Sequence, residues 1–420
     1  MLDIRFIKEH KEVIKEGARK KHIDFDVDAL LALDDTRRTL LADIEKKRAL
    51  QNSYNDKIVT ATSGEERVRL VSDMQSLKTE LKKLEEEHKK IMHDWQALML
   101  TVPNIPDISV PEGDSDEQNL EIRAWGEKTT LPNPKDHITL MEALDMVDFE
   151  RGAKVSGFRG YFLKNAGALL EFALWQYFLQ ALVKKGFSPM IVPSLVNRQT
   201  LFGTGYLPQG EDDLYKTQDG DYLAGTGEVA TMAYHSNEVL DLAGLPKKML
   251  AFSPCFRREA GSHSKDVKGL IRVHEFFKLE QVVLCEASHE QSVALHEELT
   301  RNVEELLQAL KLPYRVVVNC GGDLGLGQVK KYDIEVWMPS QQKYRETHSA
   351  SYFHDFQTRR LNIRYKDSEG VLHYAHSLNN TLVATPRLLA CIVENYQRPD
   401  GTIAVPEVLV PYMGIGEIVK

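Results

Sequence analysis

The stretch from Phe256 to Glu280, FRREAGSHSKDVKGLIRVHEFFKLE, contains residue types that suit the binding of a nucleotide. It begins with Arg257, Arg258 and Glu259, crosses a loop of glycine, serine and lysine, and returns through alternating residues that include aromatic rings. Arginine suits a phosphate because its planar guanidinium donates two parallel, charge-assisted hydrogen bonds. An aromatic ring offers a face to a base, and a neighbouring acid can bind an amine or a hydroxyl. The pattern predicts a nucleotide site on an antiparallel hairpin, and a charged surface hairpin is the alternative for this stretch alone.

The chain lacks the two glycine-rich motifs that most often hold a nucleotide phosphate through the backbone. It contains no GxxxxGK[ST], and no GxGxxG that follows a strand and precedes an acid. The run Gly321–Gly327 is rich in glycine but has no lysine, serine or threonine for that purpose. We therefore predict that this run is a tight connection near the site and that side chains hold the nucleotide.

Composition favours a globular protein of two or three domains, since the 420 residues are 42% hydrophobic and 27% charged. The net charge of −9 argues mildly against a polyanion binder, although a local basic face can still bind RNA. Four widely separated cysteines predict reduced, mostly buried thiols rather than a zinc site or disulfides. No apolar run approaches the ~20 residues that span a bilayer, and no leader pattern is present. We expect a cytoplasmic protein without membrane contact.

Residues 30–100 predict two long antiparallel helices that form a coiled coil. Apolar residues recur at a 3–4 spacing in both halves, and Thr60–Gly64 supplies the turn, with Ser63 capping the second helix. Each helix of ~35 residues would extend ~50 Å from the body. Thirteen Lys/Arg and thirteen Asp/Glu leave this arm neutral, as is typical of a salt-bridged, solvated dimerisation coil. Basic pairs such as Arg37-Arg38 and Lys82-Lys83 leave phosphate binding open.

The remainder predicts an α+β domain built on an antiparallel sheet. Three prolines in the acidic stretch from Thr101 to Gly126 predict a linker without a core element. Beyond His137, short strand patterns alternate with helices. The predicted helices are Ala166–Lys185, Ser288–Leu310 and Val383–Asn395, and the predicted strands are Pro189–Val196, Lys248–Phe252, Val273–Cys285, Tyr314–Asn319, Tyr332–Met338 and Tyr344–Tyr352.

The hairpin resembles the second motif of the class II aminoacyl-tRNA synthetases, and its residue sequence is similar to that of the motif in the seryl-tRNA synthetase family. Other stretches extend the resemblance over nearly the whole chain: Val102–Gly126, Tyr332–Arg360 and Glu394–Met413. The resemblance implies a class II antiparallel sheet flanked by helices and preceded by a coiled-coil arm. It also implies a tRNA-binding domain at residues 1–103 with the arm at about 30–100, a linker at 104–126 and a catalytic domain at 127–420.

The activity implied by the resemblance is that of a serine–tRNA ligase. Such an enzyme uses ATP and Mg²⁺ to convert L-serine to seryl-adenylate and pyrophosphate, and then transfers serine to the 3′ end of tRNA(Ser). The resemblance further implies a homodimer and an arm that binds the tRNA, and it leaves open whether tRNA(Sec) is charged. One alternative is a relative that loads a carrier protein, but such relatives lack the arm. The other is a non-catalytic adaptor, which we expect to have lost the ATP-binding arginines.

The resemblance also assigns an ATP site. Arg257 would bind the α-phosphate and the serine carboxylate, Arg387 the adenine and γ-phosphate, and Phe276 the other face of the adenine. Glu346 and Ser349 would coordinate Mg²⁺, which prefers hard oxygen ligands. Arg257, Glu346 and Arg387 are the expected catalytic residues. The other ATP-binding positions implied are Arg258, Glu259, Val273, Thr347 and His348.

Serine-binding positions follow from the same resemblance: Thr226, Gly227, Glu228, Arg257, Glu280, Asn379 and Thr381. A site that hydrogen-bonds a hydroxyl rejects an analogue without one, because buried polar groups are left unpaired. We therefore expect selection of serine over alanine, and exclusion of threonine by lack of room for its methyl group. The alternative for Glu280 is a strand carboxylate paired with Lys278 or an arginine.

Three positions depart from the common bacterial pattern of the family. Gly227 stands in place of alanine, His348 in place of a small hydroxyl residue, and Asn380–Pro386 in place of a glycine-rich run. Because Thr381 and Arg387 remain, we expect activity to be retained. The departures leave fine specificity and the conformation before Arg387 open.

Overall fold

The computed structural model describes residues 1–260 and 268–420, and the loop of the predicted nucleotide hairpin lies outside them. The chain divides into two compact units. The smaller unit comprises Leu2–Arg19 and Ile23–Pro103, and the larger comprises Met1, Lys20–His22 and Asn104–Lys420.

The smaller unit is helical, and its long antiparallel helices confirm the predicted pair. Its helices are α1 Ile4–Glu9, α2 Lys11–Lys20, which ends in the larger unit, α3 Val27–Thr60 and α4 Gly64–Thr101. Asp26 caps α3 and Ser63 caps α4, where its hydroxyl accepts a hydrogen bond from the amide of Glu66 at 3.1 Å. Ion pairs join α3 to α4 between Lys47 and Glu80 at 2.6 Å and between Arg48 and Glu85 at 2.7 Å.

The larger unit is built on an eight-stranded sheet, which confirms the predicted α+β class. The strands lie in the order β1-β11-β12-β13-β16-β10-β9-β4, and neighbours are antiparallel except β4 and β9. These strands are β1 Leu120–Trp125, β2 Val147–Asp148, β3 Phe162–Leu163, β4 Ser188–Ile191, β5 Leu195–Val196, β6 Tyr215–Lys216, β7 Tyr222–Leu223, β8 Val239–Leu240, β9 Lys247–Phe256, β10 Glu275–Cys285, β11 Tyr314–Val318, β12 Lys330–Met338, β13 Lys343–His354, β14 Arg364–Lys366, β15 Leu372–Tyr374, β16 His376–Thr385, β17 Ile403–Ala404 and β18 Glu417–Ile418, of which those outside the order above form small sheets.

Helices pack against the large sheet. The helices of this unit are α5 His137–Ala143, α6 Phe149–Ser156, α7 Asn165–Lys184, α8 Arg198–Thr204, α9 Glu228–Ala233, α10 His289–Ala309, α11 Phe356–Leu361, α12 Arg387–Asn395 and α13 Val410–Met413. The main core joins apolar residues of α7, α10 and α12 to those of the central strands, such as Phe178, Leu299 and Val383. This core makes the sheet a rigid support for side chains that point away from it.

Three predicted elements differ from the structure. The predicted strand Pro189–Val196 is divided into β4 and β5, because Pro193 has no amide hydrogen to donate to a ladder. Leu120–Trp125, predicted as linker, forms the edge strand β1 and pairs with β11. The predicted helix Val383–Asn395 begins only at Arg387, because pairing with β10 keeps Val383–Thr385 in β16.

The expectation that no apolar run approaches bilayer length is wrong for α7. Among the described residues, Asn165–Lys184 is long and apolar enough to cross a membrane by length and composition alone. Its buried residues, including Leu170, Leu174 and Phe178, belong to the main core, so the helix serves the fold of this unit. The four cysteines are free and buried, as predicted.

Candidate functional site

Successive side chains of strand β10 point to opposite faces of the sheet. Glu275 and Phe277 line a hollow next to α7, whereas Phe276 and Lys278 line a cavity on the other face. Glu280 continues the second face into an adjoining cavity of about 370 Å³. We call the cavity at Phe276 the hairpin cavity and the cavity at Glu280 the glutamate cavity.

The hairpin cavity brings together most of the predicted ATP residues, from two strands, the segments between β9 and β10, and a helix end. Its lining includes Arg257, Glu259, Val273, Phe276, Glu346, Thr347 and Arg387. The guanidinium of Arg257 lies over the ring of Phe276, 5.4 Å from its centroid. Arg387, the first residue of α12, donates from Nε to the carbonyl oxygen of Ile271 at 3.0 Å. The structure therefore places these separate motifs around one cavity, and their roles toward ATP stay predictions.

Glu346 is joined to Arg387 inside this cavity. Arg387 donates from one guanidinium nitrogen to the carbonyl oxygen of Glu346 at 2.9 Å and to its carboxylate at 3.3 Å. Burial opposes ionisation of Glu346, but the charges of Arg387, Lys331 and Arg257 outweigh it and hold its pKa below the ordinary value. The carboxylate is therefore charged and able to bind a cation.

An irregularity in β13 decides which of its residues face the cavities. Ile334 pairs with His348 while Glu335 pairs with Glu346, so Thr347 is an extra residue in the ladder. The bulge lets Glu346 and Ser349 face the same side, although regular alternation would separate them. His348 is buried on the other side, and this burial lowers its pKa to about 3.

A carboxylate and a hydroxyl on one face suit a metal that completes its shell with other oxygens. The described residues contain no group of three or more His, Cys, Asp or Glu that could hold a metal by themselves. Glu346 in the hairpin cavity and Ser349 in the glutamate cavity offer two hard oxygen donors. Such a sparse donor set fits Mg²⁺, which usually keeps water and substrate phosphate oxygens as ligands.

The glutamate cavity brings together the predicted serine-binding residues except Gly227. Its lining includes Thr226, Glu228, Arg257, Glu280, Asn379 and Thr381, together with the loop Gly325–Gln328. A bulge at Leu382 in β16 pairs Glu280 with Thr381 directly, so both face the cavity while Val383 joins the core. The glycine-rich run predicted to lie near the site does so through this loop.

Glu280 makes the ion pair with Lys278 that the sequence left as an alternative. The Lys278 ammonium contacts the Glu280 carboxylate and donates to the Thr226 hydroxyl at 2.7 Å. The paired oxygen, Glu280 Oε2, is buried and has no hydrogen bond of ordinary geometry from any described residue. Glu280 therefore combines the ion pair with a place in the lining of the cavity.

Glu228 is a second buried carboxyl group in the glutamate cavity. It accepts hydrogen bonds from the amide of Gln357 at 2.6 Å and from the hydroxyl of Tyr206 at 3.4 Å. Burial raises its pKa to about 7, and the neighbouring charge of Glu280 adds to the rise. A bound ammonium group would favour the ionised form of Glu228.

Several residues lie differently from the sequence interpretation. Gly227, His348 and Arg258 are absent from the linings described for both cavities. A Cβ at Gly227 would come within 3.1 Å of the Ser253 hydroxyl, so this position packs against β9. Arg258 donates to the carbonyl oxygen of Asp212 at 3.1 Å. The contacts proposed for these three residues stay predictions.

Sequence reasoning missed several side chains of the glutamate cavity, among them Tyr206, Lys278 as a lining residue, and Gln357. Alternation along β10 was a usable signal for Lys278, since Phe276 and Glu280 flank it at a spacing of two. Tyr206 follows the end of α8 and Gln357 lies in α11, and no local pattern marks them.

The sheet, the hairpin arginine and the arginine that opens α12 define the catalytic core of a class II aminoacyl-tRNA synthetase. Residues 214–396 match the family described as tRNA synthetase class II core domain (G, H, P, S and T). Residues 1–106 match the family described as seryl-tRNA synthetase N-terminal domain.

Relatives that match the full length define the family more narrowly. The chain is 45% identical to a serine–tRNA ligase of Deinococcus radiodurans, covering 100% of this chain and 99% of the relative. A seryl-tRNA synthetase of Pyrococcus horikoshii crystallised with ATP aligns at a TM-score of 0.92 with 39% identity, covering 100% of this chain and 99% of that one. A cytoplasmic serine–tRNA ligase of Naegleria fowleri in complex with AMP aligns at 0.87 with 33% identity, covering 100% and 98%. This chain belongs to the seryl-tRNA synthetase family.

Proposed function

We propose that the chain is a serine–tRNA ligase in which the hairpin cavity binds ATP and the glutamate cavity binds L-serine. The observation that carries the proposal is that Arg257 lines both cavities. One guanidinium can therefore contact the α-phosphate of ATP and the carboxylate of serine, the two groups that must react. Known relatives of this family, including one crystallised with ATP and one with AMP, support the assignment.

In the hairpin cavity, Phe276 and Arg387 provide a ring and a planar cation for the two faces of an adenine. Arg257 and Arg387 supply positive charge for phosphate oxygens. Glu346, with Ser349 beside it, would hold Mg²⁺, which supplies charge neutralisation on the phosphates when bound. The charged state of Glu346 and its place beside Arg387 support this role.

In the glutamate cavity, acids and hydroxyls surround the amine and the side chain of the amino acid. Glu228 and Glu280 would accept from the ammonium and the hydroxyl, and Thr381 lies directly opposite Glu280 in the ladder. The place of Glu280 in the lining of the cavity, opposite Thr381, supports a ligand contact. Alanine would leave these polar groups unpaired, so serine is favoured over alanine.

The reaction needs positioning rather than an enzyme nucleophile. A serine carboxylate oxygen attacks the α-phosphorus, forming one P–O bond while the bond to pyrophosphate breaks. A ribose hydroxyl at the 3′ end of tRNA(Ser) then attacks the acyl carbon and releases AMP. Arg257 and Arg387 would orient the phosphates and stabilise the charge that develops on them.

Pyrophosphate exchange measured across the amino acids tests the activation half of this function. We expect exchange that depends on serine, with alanine and threonine far weaker, followed by charging of purified tRNA(Ser). Exchange with glycine or alanine in place of serine would overturn the specificity, and charging of a carrier protein instead of tRNA would favour the carrier-loading alternative. The match of residues 1–106 to the family's N-terminal domain supports tRNA as the acceptor. Charging of tRNA(Sec) is a further reaction that the same assay tests.

We also propose that the protein is a homodimer in the cytoplasm. Strand β4 ends the large sheet, and beside it an apolar groove of about 700 Å³ is lined by Phe172, Trp175, Ile191 and Phe252 among others. Ile191 is 88% exposed and Phe172 63% exposed, which is unusual for large apolar residues in a monomer. A second copy of the chain would cover them. Ile191→Asp should convert a dimer to a monomer by sedimentation analysis, and a wild-type monomer would refute the proposal.

A further inference from the structure

The loop Gly325–Gln328 forms one wall of the glutamate cavity and is held from behind by a buried lysine. The ammonium of Lys21 donates to the carbonyl oxygens of Gly325 and Leu326 at 3.0 Å each and to that of Gln328 at 2.5 Å. Only 3% of Lys21 is exposed, and its three hydrogens match these three acceptors. The loop's carbonyl groups therefore converge on a single cation.

Asn104 completes the support of the same loop. Its backbone amide donates to the carbonyl oxygen of Leu326 at 2.9 Å, and its side-chain amide donates to those of Gly327 at 3.0 Å and Phe353 at 2.8 Å. Together, Lys21 and Asn104 bind four consecutive carbonyl oxygens, from residue 325 to residue 328. Both residues belong to the larger unit.

Within the loop, few other interactions fix its path. Two of its four residues are glycines, which bring no side chain to anchor the wall. Gln328 accepts from the amide of Gly325 at 2.7 Å and donates to the hydroxyl of Ser351 at 2.8 Å. Without the ammonium, the carbonyl oxygens of Gly325 and Leu326 would each keep one donor, the amides of Gln328 at 3.2 Å and Asn104 at 2.9 Å, whereas that of Gln328 would lose the contact from Lys21, and an unpaired polar group is costly. The wall would then move to find other partners.

We propose that Lys21 and Asn104 are positioning residues for the amino-acid site, holding the Gly325–Gln328 wall where it meets the bound substrate. The inference rests on the proposed function of the glutamate cavity. In the chain, Lys21 precedes the arm helix α3 and Asn104 follows the arm helix α4. The residues that flank the arm therefore set how well the cavity binds its amino acid.

Steady-state pyrophosphate exchange on the full-length chain tests the proposal with Lys21→Met and Asn104→Ala. Both should raise KM for serine by about tenfold, the effect expected of one unsatisfied buried polar group, while KM for ATP changes less than about twofold. Lys20→Met is the matched control, since Lys20 is the adjacent lysine and the three loop contacts belong to Lys21. It should leave both constants unchanged.

A destabilised control separates positioning from general loss of stability. Asn302→Ala removes a buried amide that donates to Gln281 at 2.8 Å, away from both cavities, and should lower the melting temperature without changing KM for serine. If Lys21→Met and Asn104→Ala shift both KM values together, or leave KM for serine unchanged, the proposal is wrong. Should Lys21→Met fail to fold, Asn104→Ala alone decides. Absence of serine exchange in the wild type would instead refute the proposed function.

Discussion

Replacement of Thr381 by alanine tests most directly whether this residue recognises the hydroxyl of the serine substrate. Thr381 is 8% exposed, lines both cavities and pairs with Glu280 in the ladder, so its hydroxyl lies beside the proposed side-chain contact. An unpaired buried polar group costs ~1–3 kcal/mol, which corresponds to roughly 5- to 150-fold in kcat/KM for serine. The preference for serine over alanine should narrow by a similar factor, because the penalty against alanine arises from the same groups.

The assay is pyrophosphate exchange with serine and with alanine, at varied concentrations of amino acid and of ATP. KM for ATP should hold, since Arg257, Phe276 and Arg387 are untouched. Thr300→Ala is a matched control: its hydroxyl is buried in α10 and donates to the carbonyl oxygen of His296 at 2.8 Å, outside both cavities. If the ratio of kcat/KM for serine to that for alanine is the same in Thr381→Ala, Thr300→Ala and the wild type, Thr381 does not recognise the hydroxyl. The assignment of the serine pocket would then be wrong.

Three further predictions concern the phosphate site, the arm and the dependence of stability on pH. Arg257→Ala should lower the rate of adenylate formation at least about 100-fold. Its melting temperature should change little, because the hydrogen bond from Arg257 Nε to the carbonyl oxygen of Gly225 is long, at 3.3 Å. Arg258→Ala should lower the rate far less, and the reverse ranking of the two variants would contradict the proposed site. Replacement of residues 45–85 by a short glycine-rich turn keeps Lys21 and Asn104. This variant should preserve serine-dependent exchange and lower tRNA(Ser) charging more than about tenfold. Equal loss of both activities would show instead that the catalytic domain needs the arm for its structure. Because burial raises the pKa of Glu228 to about 7, the folded state holds this proton more tightly than the unfolded state does. The free energy of unfolding should therefore fall as pH rises from about 4.5 through about 7. Urea titrations at a series of pH values should show a smaller fall in Glu228→Gln, and an unchanged fall would refute the raised pKa.

Long local patterns predicted most of the fold. The 3–4 spacing and the Ser63 cap predicted α3 and α4, and alternation predicted the central strands, because each signal lies within one element. Val383–Thr385 were predicted as helix because their local sequence is apolar and runs into α12. Pairing of this segment with β10, which lies about a hundred residues earlier in the chain, keeps it in the sheet. Contacts between residues so far apart in the chain cannot be inferred from the sequence of ten neighbouring residues.

The family resemblance predicted which motifs meet, and the structure adds which of their side chains face the cavities. Arg257, Glu346 and Arg387 come from three separated stretches, yet all line the hairpin cavity. His348 was included because it belongs to the same motif, and its burial on the other side of β13 was not predictable from its neighbours. Lys21 was not singled out at all, since a lysine that binds only backbone carbonyl groups has no pattern in the sequence.

Two bulges explain why simple alternation fails at this site. Without the extra Thr347 in β13, Glu346 and Ser349 would lie on opposite faces of the sheet. Without the extra Leu382 in β16, Thr381 and Val383 would share a face, and either the hydroxyl would enter the core or the valine would enter the cavity. Bulges bend a strand and redirect its side chains at the cost of local pairing. The bulges thus place Val383 in the apolar core against the helices while Glu346, Ser349 and Thr381 face the cavities.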